Sequence, residues 1–190
     1  MLLKVLFHLS AFIPLVYLYL AAFNDQLGAD PVEAVIHFTG IGAFNLLLIT
    51  LSITPLAKTF KLGFLIQTRR LVGLYAFTYT LLHLLNFLAF EVQFNFMLFF
   101  SEIIERPYIN VGLVAFVFLI ALAITSINFI RKKMGKRWQI LHNFNYLIVI
   151  LVTIHFYWSV KSDVVEPIIY GAIVLFLLYF RITKFKRWFK

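Results

Sequence analysis

The 190-residue sequence contains no cysteine, which excludes disulfides, zinc–thiolate sites and iron–sulfur clusters from this chain. Charge is scarce as well. Only 13% of residues are Asp, Glu, Lys or Arg, against about 25% in a soluble domain. Acidic residues are the rarest charged class, 8 against 17 Lys plus Arg, and none lies inside a long apolar run. No Gly-x-Gly-x-x-Gly fingerprint follows a strand-like segment, so no nucleotide-binding domain is expected in the chain. No low-complexity segment or long linker interrupts it. No internal sequence repeat is evident either, which weighs against an inverted-repeat transporter.

Apolar length is what the sequence has in abundance. Hydrophobic residues make up 63% of it and the mean hydropathy is +0.94. A helix needs roughly 20 apolar residues to cross the hydrocarbon core. Such stretches predict an all-α, six-helix membrane bundle with spans near 3–22, 35–56, 70–90, 111–130, 139–160 and 166–183. The whole of 1–190 reads as one membrane domain, and its first span as a signal anchor rather than a cleaved leader.

The formal charge of +9 is distributed as a topology signal and not as a nucleic-acid footprint. Asp25, Asp30 and Glu33 follow the first span, and the third loop, 91–110, is acidic apart from Arg106. Lys58, Lys61, Arg69 and Arg70 follow the second span, and Arg131, Lys132, Lys133, Lys136 and Arg137 the fourth. The fifth loop mixes Lys161 with Asp163 and Glu166, and the tail carries Arg181, Lys184, Lys186, Arg187 and Lys190. The positive-inside rule then puts both termini in the cytoplasm. Trp138 and Trp188 fall near the inner interface and Trp158 near the outer one, as aromatic belts do.

An ionisable side chain within a span is costly in lipid and is a functional candidate for that reason. His83 and His155 lie at similar depth, toward the outer ends of the third and fifth spans. Two neutral imidazoles so placed suit either the axial positions of a heme iron or a hydrogen bond between helices. His142 precedes His155 on the fifth span, about 20 Å deeper if the helix is continuous. That separation suits a second redox centre, although on one helix the two side chains would point roughly 140° apart. Arg69 faces roughly as His83 does, about 21 Å deeper. A guanidinium stays protonated and is a poor iron ligand, but it suits a heme propionate or a flavin phosphate. His8 fits an interfacial position. His37 opens the second span, either as a polar helix end or as an outer-face contact to a heme or an electron acceptor.

These residues sit in segments that carry a resemblance. They are Gly28-Ala29-Asp30-Pro31-Val32 before His37-Phe38-Thr39-Gly40, Ile53-Thr54-Pro55-Leu56-Ala57, and Thr68-Arg69-Arg70-Leu71-Val72-Gly73-Leu74 before His83-Leu84. Arg106-Pro107-Tyr108, Gly135-Lys136-Arg137-Trp138-Gln139, Leu141-His142-Asn143 and Ile154-His155-Phe156-Tyr157-Trp158-Ser159 complete the set. In this order the chain resembles the MsrQ (YedZ) family, heme-binding membrane subunits of bacterial methionine sulfoxide reductase systems. More distantly it is similar to the ferric reductase and NADPH oxidase transmembrane domain.

The resemblance implies a b-type cytochrome subunit of the inner membrane, an electron-transfer part of an oxidoreductase system. It implies one or two hemes held by His83, His155 and His142, with Arg69 where the wider family has a fourth histidine. It also implies FMN, a quinol or cytoplasmic flavin reductase as donor, and a periplasmic molybdopterin enzyme, MsrP, as acceptor. The alternatives are a stand-alone ferric reductase and a histidine-lined proton pathway. The latter calls for carboxylates inside the spans, which the sequence does not supply.

Overall fold

A computed structural model of the chain describes residues 2–160 and 162–181, all of whose regular structure is helical. Lys161, Lys184, Lys186, Arg187, Trp188 and Lys190, which contribute to the charge and aromatic patterns, lie outside the described residues. The helices are α1 (Leu2–Phe23), α2 (Pro31–Thr59), α3 (Arg69–Asn86), α4 (Phe96–Glu105), α5 (Pro107–Thr125), α6 (Asn128–Met134), α7 (Lys136–His142), α8 (Asn145–Ser159) and α9 (Val165–Tyr179). A 3-10 turn, Gly63–Thr68, leads into α3, and a π-helical turn, Phe87–Glu91, leads out of it.

Helix starts follow from local chemistry. Asp30 accepts the Glu33 N–H at 2.8 Å and Pro31 fills the first turn of α2, where a missing N–H costs nothing. Asn95 accepts the Leu98 N–H to open α4, and Pro107 starts α5. Gly135 separates α6 from α7 at φ +54°, a left-handed conformation that glycine adopts without strain. Buried threonines return their hydroxyls to the preceding turn, as Thr39 does to the Val35 carbonyl at 2.8 Å.

Among the described residues five segments are long and apolar enough to cross a membrane: Leu2–Phe23, Pro31–Thr59, Gly63–Glu91, Pro107–Thr125 and Lys136–Ser159. These match the first five expected spans. The sixth corresponds to α9, whose 15 residues reach about 22 Å, short of the roughly 30 Å hydrocarbon core. The expected end of that span lies among residues that are not described. The third loop is not irregular, because it contains α4. The fifth span is not one helix, since turns at Asn143 and Phe144 separate α7 from α8. The angular relation expected between His142 and His155 on a continuous helix therefore does not hold.

The centre is a ring of four helices. α2 packs on α3 and α5 on α8, while α2 also meets α8 and α3 meets α5. Phe44, Leu47, Leu51, Ala76, Ile148 and Val149 fill it, each at most 2% exposed. Large apolar side chains such as Phe12, Val117 and Leu175 point outward, as lipid-facing residues do. α1 lies against α2 and α3, and α9 against α2 and α8. α2 lies tight against α3 at Gly42, where a Cβ would stand 2.5 Å from two ring carbons of Tyr79. The Tyr79 hydroxyl crosses to α1 and donates to the Ala11 carbonyl at 2.7 Å.

Candidate functional site

α3 and α8 bring His83 and His155 together inside this ring, with ring centres 6.2 Å apart and planes at 87°. An imidazole nitrogen lies about 2.0–2.1 Å from a bound metal and roughly 1.1 Å from its own ring centre, so two trans imidazoles need centres about 6.2–6.4 Å apart. The observed 6.2 Å falls within that range.

The outward nitrogens are already committed. His83 Nδ1 is 2.9 Å from the Ile36 carbonyl of α2, and His155 Nδ1 is 2.7 Å from the Tyr108 carbonyl of α5. A carbonyl only accepts, so each Nδ1 carries the proton and each Nε2 keeps its lone pair. No described residue hydrogen-bonds either Nε2. Both rings are thus locked in orientation and in the tautomer that ligates a metal. Among the described residues no group of three His, Asp or Glu side chains gathers as a metal cage. Two facing imidazoles with no third protein ligand among the described residues would suit a metal that a macrocycle already holds.

The surroundings are tailored to the rings. Gly40 and Gly112 lie against them: a Cβ would come 3.0 Å from His83 Nδ1 and 2.8 Å from His155 Nδ1. Above His83, buried Asn86 accepts from the Tyr19 hydroxyl at 3.0 Å and donates to Thr39 Oγ1 at 3.4 Å. Arg106 pairs with Glu102 at 2.8 Å and donates to the Tyr108 hydroxyl at 3.3 Å, bracing the residue whose carbonyl holds His155.

The other expected residues are placed differently. His142 ends α7, and its Nε2 is 3.0 Å from Thr125 Oγ1, whose own hydrogen goes to the Ala121 carbonyl. With the hydroxyl hydrogen so used, Nε2 donates to Thr125 and Nδ1 keeps the ring's lone pair. Trp138 stacks on the His142 ring at 4.0 Å and donates to the Thr125 carbonyl, with the Arg131 guanidinium 4.7 Å over its indole. Among the described residues no second histidine joins this cluster. Arg69 hydrogen-bonds Tyr146 and lies within electrostatic reach of Arg181 and of His142. His37 is exposed, 3.9 Å from Glu166 and 6.3 Å from the Phe156 ring, at the rim of the His83–His155 pair. His8 meets the Tyr75 hydroxyl at 2.7 Å, away from both levels.

Known proteins share this framework. The ferric reductase like transmembrane component family matches residues 38–153, from α2 to two residues before His155. The protein-methionine-sulfoxide reductase heme-binding subunits MsrQ of Salmonella paratyphi B, Salmonella newport and Salmonella heidelberg are each 46% identical over 99% of this chain and 95% of their own. The chain belongs to the MsrQ family. It is accordingly a multi-pass membrane protein with a ferric reductase-like transmembrane domain.

Sequence reasoning placed the two central histidines of this MsrQ-family chain at one depth, and the structure brings them together. It missed the Ile36 and Tyr108 carbonyls, because a backbone acceptor carries no residue signature. It also read Trp138 as an interfacial anchor. The signal available for Trp138 was its position four residues before His142, which places both on one helix face.

Proposed function

We propose that this chain is a six-span, single-domain b-type cytochrome subunit of the bacterial inner membrane with both termini in the cytoplasm. Its role is to pass electrons outward to a periplasmic molybdopterin enzyme of the MsrP type. The observation that carries the reading is the His83–His155 pair, 6.2 Å between ring centres with both Nδ1–H groups spent on carbonyls. The Salmonella relatives, named as heme-binding subunits, support it. Heme b, when bound, supplies a one-electron carrier.

The chain's own groups set the conditions for that carrier. His83 and His155 hold it from opposite helices, and the carbonyl bonds make both imidazoles more basic, favouring the ferric state. With both histidines so engaged the pair would leave no open site for a substrate on a bound heme, and substrate chemistry would fall to the partner. The acidic residues of the chain lie at the end of the bundle where His83 and His155 sit, which supports the outward orientation. His37, beside Glu166 at that rim, is the side chain best placed to meet the acceptor.

At the other end Arg69 and Arg131 lie within electrostatic reach of His142, and Arg181 within reach of Arg69. That chemistry suits an anion, either a second heme's propionate or the phosphate of FMN. With its Nε2 on Thr125, His142 would offer an inner heme its Nδ1. A membrane quinol or a cytoplasmic flavin reductase supplies the electrons at this level.

Purified protein in lipid nanodiscs tests the reading. It should show the Soret band of a low-spin b-type heme. Its ferric EPR should be of the highly anisotropic low-spin kind, because imidazole planes at 87° leave two iron d orbitals nearly degenerate. The reduced protein should be reoxidised by the molybdopterin partner with methionine sulfoxide and not by ferric citrate. No Soret band would sink the proposal. Rapid reoxidation by ferric citrate alone would favour the second reading, a stand-alone ferric reductase, which the family match makes the nearest rival.

A further inference from the structure

We infer that the central site is built twice, from two copies of one half-site related by 72 positions, and that Gly40 and Gly112 are its positioning residues. Resting on the cytochrome reading, the inference concerns how the chain aims its ligands. It corrects the expectation that the sequence carries no internal repeat.

The two hydrogen bonds have the same separation. His83 reaches back 47 residues to Ile36, and His155 reaches back 47 residues to Tyr108. Adding 72 to 36, 40 and 83 gives 108, 112 and 155, so carbonyl, glycine and histidine all coincide. The offset continues down the first helix of each copy. Gly40-x-x-Ala43-Phe44-x-x-Leu47 recurs as Gly112-x-x-Ala115-Phe116-x-x-Leu119, and both alanines and both leucines are buried. α2 and α3 form one copy, α5 and α8 the other.

Aromatic packing also crosses between the copies, at partner positions that the offset itself does not relate. Phe44 of the first copy meets Phe156 on the second helix of the other, with ring centres 6.4 Å apart. Phe116 of the second copy stacks on Phe77 at 6.2 Å. Each copy thus reaches across to its mate. Because corresponding helices run in the same direction, the relating axis lies along the bundle and passes between the two imidazoles. Lipid-facing positions are free to diverge under such symmetry, which leaves only the inward positions to betray it.

Within each half-site the geometry is local. The carbonyl and the glycine are four residues apart, one turn along the same face. The imidazole lies over the glycine and donates to the carbonyl, whose second lone pair is free of the helix bond. A methyl at residue 40 would press on His83 Nδ1 at 3.0 Å and Cε1 at 3.1 Å. At residue 112 it would press harder, on His155 Nδ1 at 2.8 Å and Cε1 at 2.9 Å. The methyl at residue 112 forces its ring to shift and the one at residue 40 makes its ring give slightly, which loosens the bond to the carbonyl in each case. The equivalence ends at the inner level, where the counterpart of His142 is Arg70, bonded to Asn128 at 2.7 Å. The repeat therefore supplies one symmetric ligation level, not two.

The test compares heme-loaded Gly112→Ala, Gly40→Ala and Gly73→Ala by redox titration and ferric EPR. Gly73→Ala is the control, a helical glycine whose Cβ meets only Thr50 Cγ2 at 3.8 Å. Losing a carbonyl bond makes an imidazole less basic, so the midpoint potential should rise and the EPR anisotropy change. The expected order is Gly112→Ala largest, Gly40→Ala smaller, Gly73→Ala unchanged. If Gly112→Ala does not accumulate, the milder Gly40→Ala carries the test against the same control. Potentials and EPR at the wild-type values in Gly112→Ala and Gly40→Ala would overturn the inference, as would an equal shift in Gly73→Ala. Wild-type protein without heme would instead count against the cytochrome reading itself.

Discussion

His155→Ala, and separately His83→Ala, should each empty the heme level between α3 and α8, lowering that heme to background in a pyridine hemochrome assay. The expected loss is complete because each ring is half of the pair, and His37 at its rim is exposed and faces Glu166. His142→Ala should leave this level intact, since His142 is bonded to Thr125 and stacked under Trp138 at the far end of the bundle. His8→Ala, which removes a ring in contact with Tyr75 and remote from the pair, serves as a second control. A His83→Ala protein that kept the full heme complement would remove the pairing from consideration.

Gly42→Ala should be the most damaging single methyl addition in the helix core. The new Cβ would stand 2.5 Å from Cδ1 and Cε1 of Tyr79, a ring 4% exposed and unable to turn aside. Moving that ring also strains the bond from its hydroxyl to the Ala11 carbonyl, which ties α3 to the backbone of α1. Overpacking of this kind costs about 1–3 kcal/mol, and a lost hydrogen bond adds roughly 1 kcal/mol. Alanine's better helix propensity returns about 1 kcal/mol and does not reverse the sign. The variant should unfold at lower temperature in detergent, with faster hydrogen exchange in α1. An unchanged midpoint would show that α2 and α3 can separate freely at this point.

The spans were legible because a bilayer imposes a length and a polarity on the chain, and Leu2–Phe23 or Pro107–Thr125 contain little else. α4 was not legible. Its ten residues mix Phe, Met and Leu with Ser101, Glu102 and Glu105, a surface pattern that reads as an acidic loop. The break at Asn143–Phe144 was hidden too, because neither Gly nor Pro marks it. Depth alone singled out His83 and His155, since an imidazole inside an apolar helix is costly unless a ligand or a neighbouring helix engages it. His142 shows the limit of that reasoning. Its depth marked it out, but not that Thr125, remote in sequence, and Trp138, which also suits an interfacial belt, would hold its ring. The half-site repeat is faint in the sequence because a handful of inward positions carry it across stretches that otherwise differ.

Two half-sites on two helix pairs also divide the chain into modules. The segment Val92–Asn95, between the π-helical turn and α4, separates one complete carbonyl–glycine–imidazole unit from the other. Severed there, the polypeptide would become two membrane fragments, each able to orient its own imidazole and neither able to grip a metal from both sides. Heme capture would then report fragment complementation, with the cofactor acting as the staple that makes two separately inserted pieces one protein.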